Sequence, residues 1–202
     1  MKLLDEVDLN YDSKVNVLAA YKSFDSSLHP LMPISANVDI IQFLFGLKPC
    51  VRTRIQDFQQ DILPVKRWCH QNNFYWYIDL EGFVYISMSQ KLIQQTVQAD
   101  HSSEKHEESL GKLLGYPECC CKKVAEIGEE NIDLFEANLC KEEFSPSYKI
   151  TNPKNYKYGK AFISHVPCSN SCFNSLLLAL RLSALLSHYS YYQPFRVWLD
   201  EI

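Results

Sequence analysis

Hydrophobic positions recur at helical spacing through most of the chain and give way to aromatic and β-branched runs in its middle. Residues 13–24 read as an amphipathic helix, broken by His29-Pro30-Leu31-Met32-Pro33. Asn37 is placed to cap a helix over 38–45 that closes at Gly46. Residues 50–55 suit a short strand. Asp57 then caps a helix reaching about residue 72, with Phe58, Ile62, Val65 and Cys69 in phase and Pro64 interrupting them. Residues 74–79 and 83–88 are aromatic and β-branched runs joined by Leu80-Glu81-Gly82, the signature of a hairpin.

Beyond the hairpin the helical period returns. Ser87 or Ser89 caps a helix to about residue 99, and Ser103 caps another whose stripe is His106, Leu110, Leu113 and Leu114, ending at Gly115. Pro117 suits the first position of a helix over 118–127, where Cys120, Val124 and Ile127 share a face. Ile132, Phe135 and Leu139 continue the period, 141–160 reads as loop, and 162–165 as a short extended segment. Ser169 or Asn170 caps a last helix to about residue 189, apolar nearly all round and therefore expected to be the central buried element. The fold class that follows is α+β: a mainly helical single domain with a small antiparallel sheet and a buried C-terminal helix. Residues 1–35 read as an N-terminal extension to an α+β Cys/His domain over 36–202.

Composition narrows the function. With 202 residues, 47% of them hydrophobic and 13% aromatic, the chain can fill a core without covalent staples. The net charge is −4 and no Lys/Arg run is long enough to cover a phosphate backbone, so nucleic acid is not an expected partner. Lys149, Lys154, Lys157 and Lys160, interleaved with Tyr148, Tyr156 and Tyr158, read as an exposed loop. Acids near Met1 interrupt the apolar stretch that a signal peptide needs, and residues 176–186, broken by Arg181 and Ser183, are too short to span a bilayer. The expectation is a cytoplasmic protein with no membrane partner. In that compartment eight cysteines are thiols or ligands before they are disulfides.

Two cysteine groups stand out. Cys119, Cys120 and Cys121 follow Pro117 at one helix start, and His165-Val166-Pro167-Cys168 leads through Cys172 into another. Helix starts offer free N–H groups and a positive dipole end, both of which favour thiolate. Facing one another, Cys119, Cys120, His165, Cys168 and Cys172 would supply the ligands of a zinc ion or an iron–sulfur cluster. Neighbouring side chains on a helix diverge by about 100°, which favours either Cys119 alone as a ligand or a larger centre that reaches both. Cys50, Cys69 and Cys140 read as core residues, and Cys121, beside Lys122 and Lys123, as an exposed or half-buried residue without a role. His106 reads as a satisfied core histidine that could also face the site, and Glu104, Glu107 and Glu108 as a solvated helix face from which Glu107 or Glu108 could supply a base or an oxygen ligand. No phosphate loop, G-x-S-x-G or H-E-x-x-H is present.

Leu114-Gly115-Tyr116-Pro117-Glu118-Cys119-Cys120 and His165-x-Pro167-Cys168-x3-Cys172-x2-Ser175 resemble the paired signature of a prokaryotic family catalogued as a domain of unknown function. The likeness extends over about residues 55–190 and includes Glu81-Gly82-Phe83-Val84-Tyr85-Ile86-Ser87. It implies that the two motifs work as one unit, and it supplies no activity. Cys121 departs from the pattern. The expected function is a metal-binding protein in small-molecule metabolism or biosynthesis, holding an iron–sulfur cluster ahead of zinc and acting on a small-molecule substrate or with a protein partner. The alternatives are a metal-free thiol–disulfide redox protein or sensor, and a zinc-stabilised partner-binding domain.

Overall fold

Asn16 opens the first helix by accepting a hydrogen bond from the Ala19 amide (3.1 Å), and the chain then runs as α1, Val17–Ser27. The computed structural model describes residues 16–28, 31–102, 106–141, 144–158 and 161–188. The remaining helices are α2 (Ala36–Leu44), α3 (Phe58–Gln71), α4 (Gln90–Asp100), α5 (Glu107–Leu113), α6 (Glu118–Ile127), α7 (Ile132–Leu139) and α8 (Phe173–His188). The strands are β1 (Cys50–Arg54), β2 (Tyr75–Ile78) and β3 (Phe83–Ser87). The class is the mainly helical α+β domain that the periodicity predicts. The expected start of the first helix at residue 13 and the cap at Ser103 lie outside the described residues. No helix among the described residues is long and apolar enough to cross a membrane.

The sheet is antiparallel in the order β1-β3-β2, with Cys50 opposite Ser87 on one side of β3 and Tyr75 opposite the same residue on the other. Val51, Val84 and Ile86 join the core cluster. Tyr85 is equally buried, and its hydroxyl bonds Asp100, at the end of α4. Gly82, at φ +85°, supplies the turn between β2 and β3.

Local signals account for most helix starts. Asp57 Oδ1 accepts from the Gln59 and Gln60 amides (3.0 and 3.2 Å), while Asp61 Oδ2 accepts from the Asp57 amide (2.8 Å). Those reciprocal bonds hold the first turn of α3 although Pro64 lies within the helix. Ser89 caps α4 through the Leu92 amide. Asn37 does not cap α2: it lies inside the helix, after Ser35 at the cap, and accepts from the Tyr21 hydroxyl at 2.9 Å. Residues 141–160 are not plain loop either, because Pro146–Thr151 and Pro153–Tyr158 form 3₁₀ turns. The Tyr156 hydroxyl anchors this segment to Asp39 (2.7 Å) while Lys149 and Lys154 stay exposed.

The central element is α2, buried at all nine positions, rather than the C-terminal helix. Helix α8 buries one stripe, Ser175, Ala179, Leu182 and Leu186, and leaves Phe173 and Leu180 exposed. Around α2 pack Phe24 of α1, Trp68 of α3 and Phe74, with the Trp68 indole N–H donating to Ala20 O and Ser23 Oγ, both at 3.1 Å. Ala20, Tyr21, Phe24 and Leu28 thus belong to the same core cluster as α2, α3 and the sheet.

Polar groups on α2 place the site. Asp39 pairs with Lys48 at 2.6 Å, both almost wholly buried. Gln42 donates to Phe162 O (2.9 Å) and accepts from Ser164 Oγ (3.0 Å), and Lys48 reaches Ser164 and Tyr116, each at 3.2 Å. Buried polar groups need such partners, so residues 161–164 are fastened to α2 and the segment that follows is delivered beside α6. The entry to α6 is set separately. Gly115, at φ +82°, would bring a Cβ within 2.4 Å of Pro49 Cδ.

Candidate metal centre

Helix α6 starts at Glu118 after Pro117 in the cap position, so Cys119 and Cys120 fall in its first turn. Helix α8 starts at Phe173. Cys172 precedes it, and its carbonyl accepts from the Leu176 amide (3.0 Å). The capping position is therefore Cys172 rather than Ser169 or Asn170, and Cys168 lies in the turn before the helix. Both helices direct their positive ends at the sulfurs.

The two motifs meet. The sulfurs of Cys119, Cys120, Cys168 and Cys172 all lie within 4.8 Å of one another. Cys119 to Cys172 is 3.7 Å, Cys120 to Cys172 is 3.6 Å and Cys119 to Cys120 is 3.9 Å. The divergence expected of adjacent cysteines does not keep the sulfurs of Cys119 and Cys120 apart. Cys120 and Cys172 are buried, and Cys119 and Cys168 half-buried. This group of four thiols could hold one metal ion.

His165 stands one hydroxyl away from the group rather than within it. Its Nε2 lies 2.8 Å from Ser175 Oγ, which donates to Cys172 Sγ at 3.3 Å and lies 3.5 Å from Cys120 Sγ. With Ser175 donating to sulfur, its oxygen is free to accept, and the relay runs from the His165 N–H through Ser175 to Cys172. Burial first, then the Lys48 charge, push His165 down to about 3, so the ring is neutral near pH 7. Tyr116 lies over it at 5.3 Å and also carries Lys48 on its face at 4.4 Å. Asp39, Lys48, Tyr116, His165 and Ser175 thus form a continuous series from the core to the sulfurs.

The thiols share their protons unequally. The hydrogen bond from Cys120, opposed by burial and aided by Ser175, holds the Cys172 thiol down to about 4. Cys120 is pushed well up by that same bond and then by burial, and Cys168 rises to about 12 through burial and then its bond to Cys172. Of these three thiols Cys172 is held lowest, and an ion bound to all four sulfurs would displace the remaining protons. Asn174 donates to Cys119 Sγ at 3.4 Å.

The other cysteines divide. Cys50 and Cys69 are fully buried, with thiols raised by burial, Cys69 to about 12, as expected of core residues. Cys140 is half-buried and bonds Asn152. Cys121 is buried rather than exposed, because α6 packs that face on α5, where a Cβ on Gly111 would come within 2.7 Å of its sulfur. Glu108 is taken by Lys112 (2.6 Å). His106 and Glu107 line a cavity with Cys120, Cys121 and His165. The sequence reading gave no role to Ser175, Asn174 or Lys48. The i+3 spacing of Ser175 from Cys172 was a usable signal for the first, whereas Lys48 depends on a contact more than sixty residues away.

Compared with protein families, curated proteins and solved structures, the chain matches none.

Proposed function

We propose that Cys119, Cys120, Cys168 and Cys172 hold a single zinc ion as thiolates, in a metal-binding protein of small-molecule metabolism or biosynthesis. The observation that carries the metal assignment is the sulfur spacing. Zn–S bonds of about 2.3 Å in a tetrahedron separate sulfurs by about 3.8 Å, against 3.6–3.9 Å for the three pairs among Cys119, Cys120 and Cys172 and no more than 4.8 Å for those with Cys168. An iron–sulfur cluster spreads its sulfurs to about 6–7 Å and fits less well. A lone iron fits the same tetrahedron and is told apart by its colour. Four protein thiolates fill the coordination sphere, as in structural zinc sites, and the ion would clamp the start of α6 to the start of α8. Four thiols gathered as the ligands of one ion fit a reducing, cytoplasmic setting. The paired motifs support kinship with the prokaryotic family that they resemble.

Metal analysis of the purified full chain tests this reading: about one zinc per chain, lost in Cys168→Ser/Cys172→Ser. A second reading draws on Cys172, a low-lying thiol 3.7 Å from Cys119. In metal-free protein that pair could close a disulfide, passing two electrons to a disulfide or peroxide acceptor. Full activity as an oxidoreductase without metal would favour it.

A further inference from the structure

A cavity of about 210 Å³ lies between α5, α6 and α7, with its inner end at Cys120, Cys121 and His165. Its wall is largely apolar: Leu110, Leu114, Val124, Ile132 and Val166. One polar group in it is unsatisfied. Glu107 Oε2 is withdrawn from water and has no hydrogen-bond partner among the described residues. A carboxylate oxygen in that position costs stability unless a donor reaches it, and a cationic donor offsets the cost best.

The remaining charges favour the same sign of ligand. Arg52 reaches the cavity, but its Nε is bound to Asp100 at 2.6 Å and its guanidinium lies over Phe83 at 4.0 Å. Exposed Glu129 adds a second carboxylate to the lining. We infer that this cavity is a binding site for a small, mainly apolar molecule carrying one cationic amine. The amine pairs with Glu107, and the apolar body lies along Leu110, Val124 and Ile132 toward Cys120. Cys120 belongs to both places, so a ligand here sits against the back of the four-thiol centre. The pocket is defined by protein groups alone and stands whether or not metal binds.

The test uses the purified full chain with phenethylamine and 3-phenylpropionate, two probes with similar apolar bodies and opposite charge, titrated by NMR or calorimetry. Saturable binding of the amine is expected, with a preference of about tenfold or more over the acid, the size of one hydrogen bond to a charged group. Glu107→Gln should remove that preference, and Ile132→Trp should abolish binding by filling the cavity. Thermal melting and metal content, measured on the same samples, separate a blocked pocket from an unfolded chain or a lost ion. Should Ile132→Trp fail to fold, Glu107→Gln decides alone. No saturable amine binding at millimolar concentration, equal binding of the two probes, or unchanged discrimination in Glu107→Gln would overturn the inference.

Discussion

The sulfurs of Cys119 and Cys172 lie 3.7 Å apart although 53 residues separate them in the chain. Nothing local brings them together. The contact rests on two attachments: Gly115 turning the chain over Pro49 into α6, and Gln42 and Lys48 fastening residues 161–164.

If those attachments build the site, weakening one should loosen it. Gly115→Ala puts an L-residue at φ +82° with its Cβ 2.4 Å from Pro49 Cδ. A loss of about 1–3 kcal/mol in unfolding free energy is expected from the strain alone. Denaturant titration measures it, and wild-type stability in the variant would contradict this account of the turn.

Lys48 and Asp39 form a buried pair, so removing one partner should cost more than removing both. Lys48→Met leaves Asp39 uncompensated and should destabilise the fold by about 3–5 kcal/mol. Lys48→Met/Asp39→Asn should recover part of that loss. Urea unfolding of the two variants makes the comparison. Equal stability of the two variants would mean that an uncompensated Asp39 charge is not what Lys48→Met costs.

Ser175 is expected to tune the centre without ligating it. Ser175→Ala removes the donor to Cys172 and the partner of His165. A fall in zinc affinity of about 10–100-fold should follow, typical of groups that orient metal ligands. Chelator competition reads it. Loss of all zinc would point to a ligand, and no change to a bystander.

His165 carries a pH dependence of fixed sign. Its folded-state pKa of about 3 lies below the ordinary 6.5, so the folded chain binds fewer protons in that window. Its contribution is complete above pH 6.5 and is lost as pH falls toward 3. His165→Gln should therefore lose less stability than wild type between about pH 7 and pH 5. Parallel urea midpoints at the two values test this, and a steeper loss in the variant would reverse the sign.

The sequence made local grammar readable. Asp57 and Ser89 cap the helices expected of them, the hairpin through Gly82 is where its aromatic runs placed it, and both cysteine motifs lie at helix starts. Tertiary partners were not readable. Asn37 resembles a cap until Tyr21 claims its oxygen. An all-round apolar α8 suggests full burial, whereas the centre went to α2, whose Asp39 and Gln42 are satisfied by residues far along the chain. Of the five residues expected as ligands, the four sulfurs lie within 4.8 Å of one another and His165 stands behind Ser175. The spacing of Ser175 from Cys172 is legible in the sequence, but that its hydroxyl also meets His165 takes three-dimensional proximity to see.

The central claim is that four sulfurs surround one ion. X-ray absorption at the metal edge of the purified full chain examines that shell directly. The expected spectrum is a zinc edge fitted by about four sulfurs at about 2.3 Å with no metal–metal scattering. An iron edge with a short iron–iron vector, a shell dominated by nitrogen or oxygen, or protein isolated without metal would contradict it.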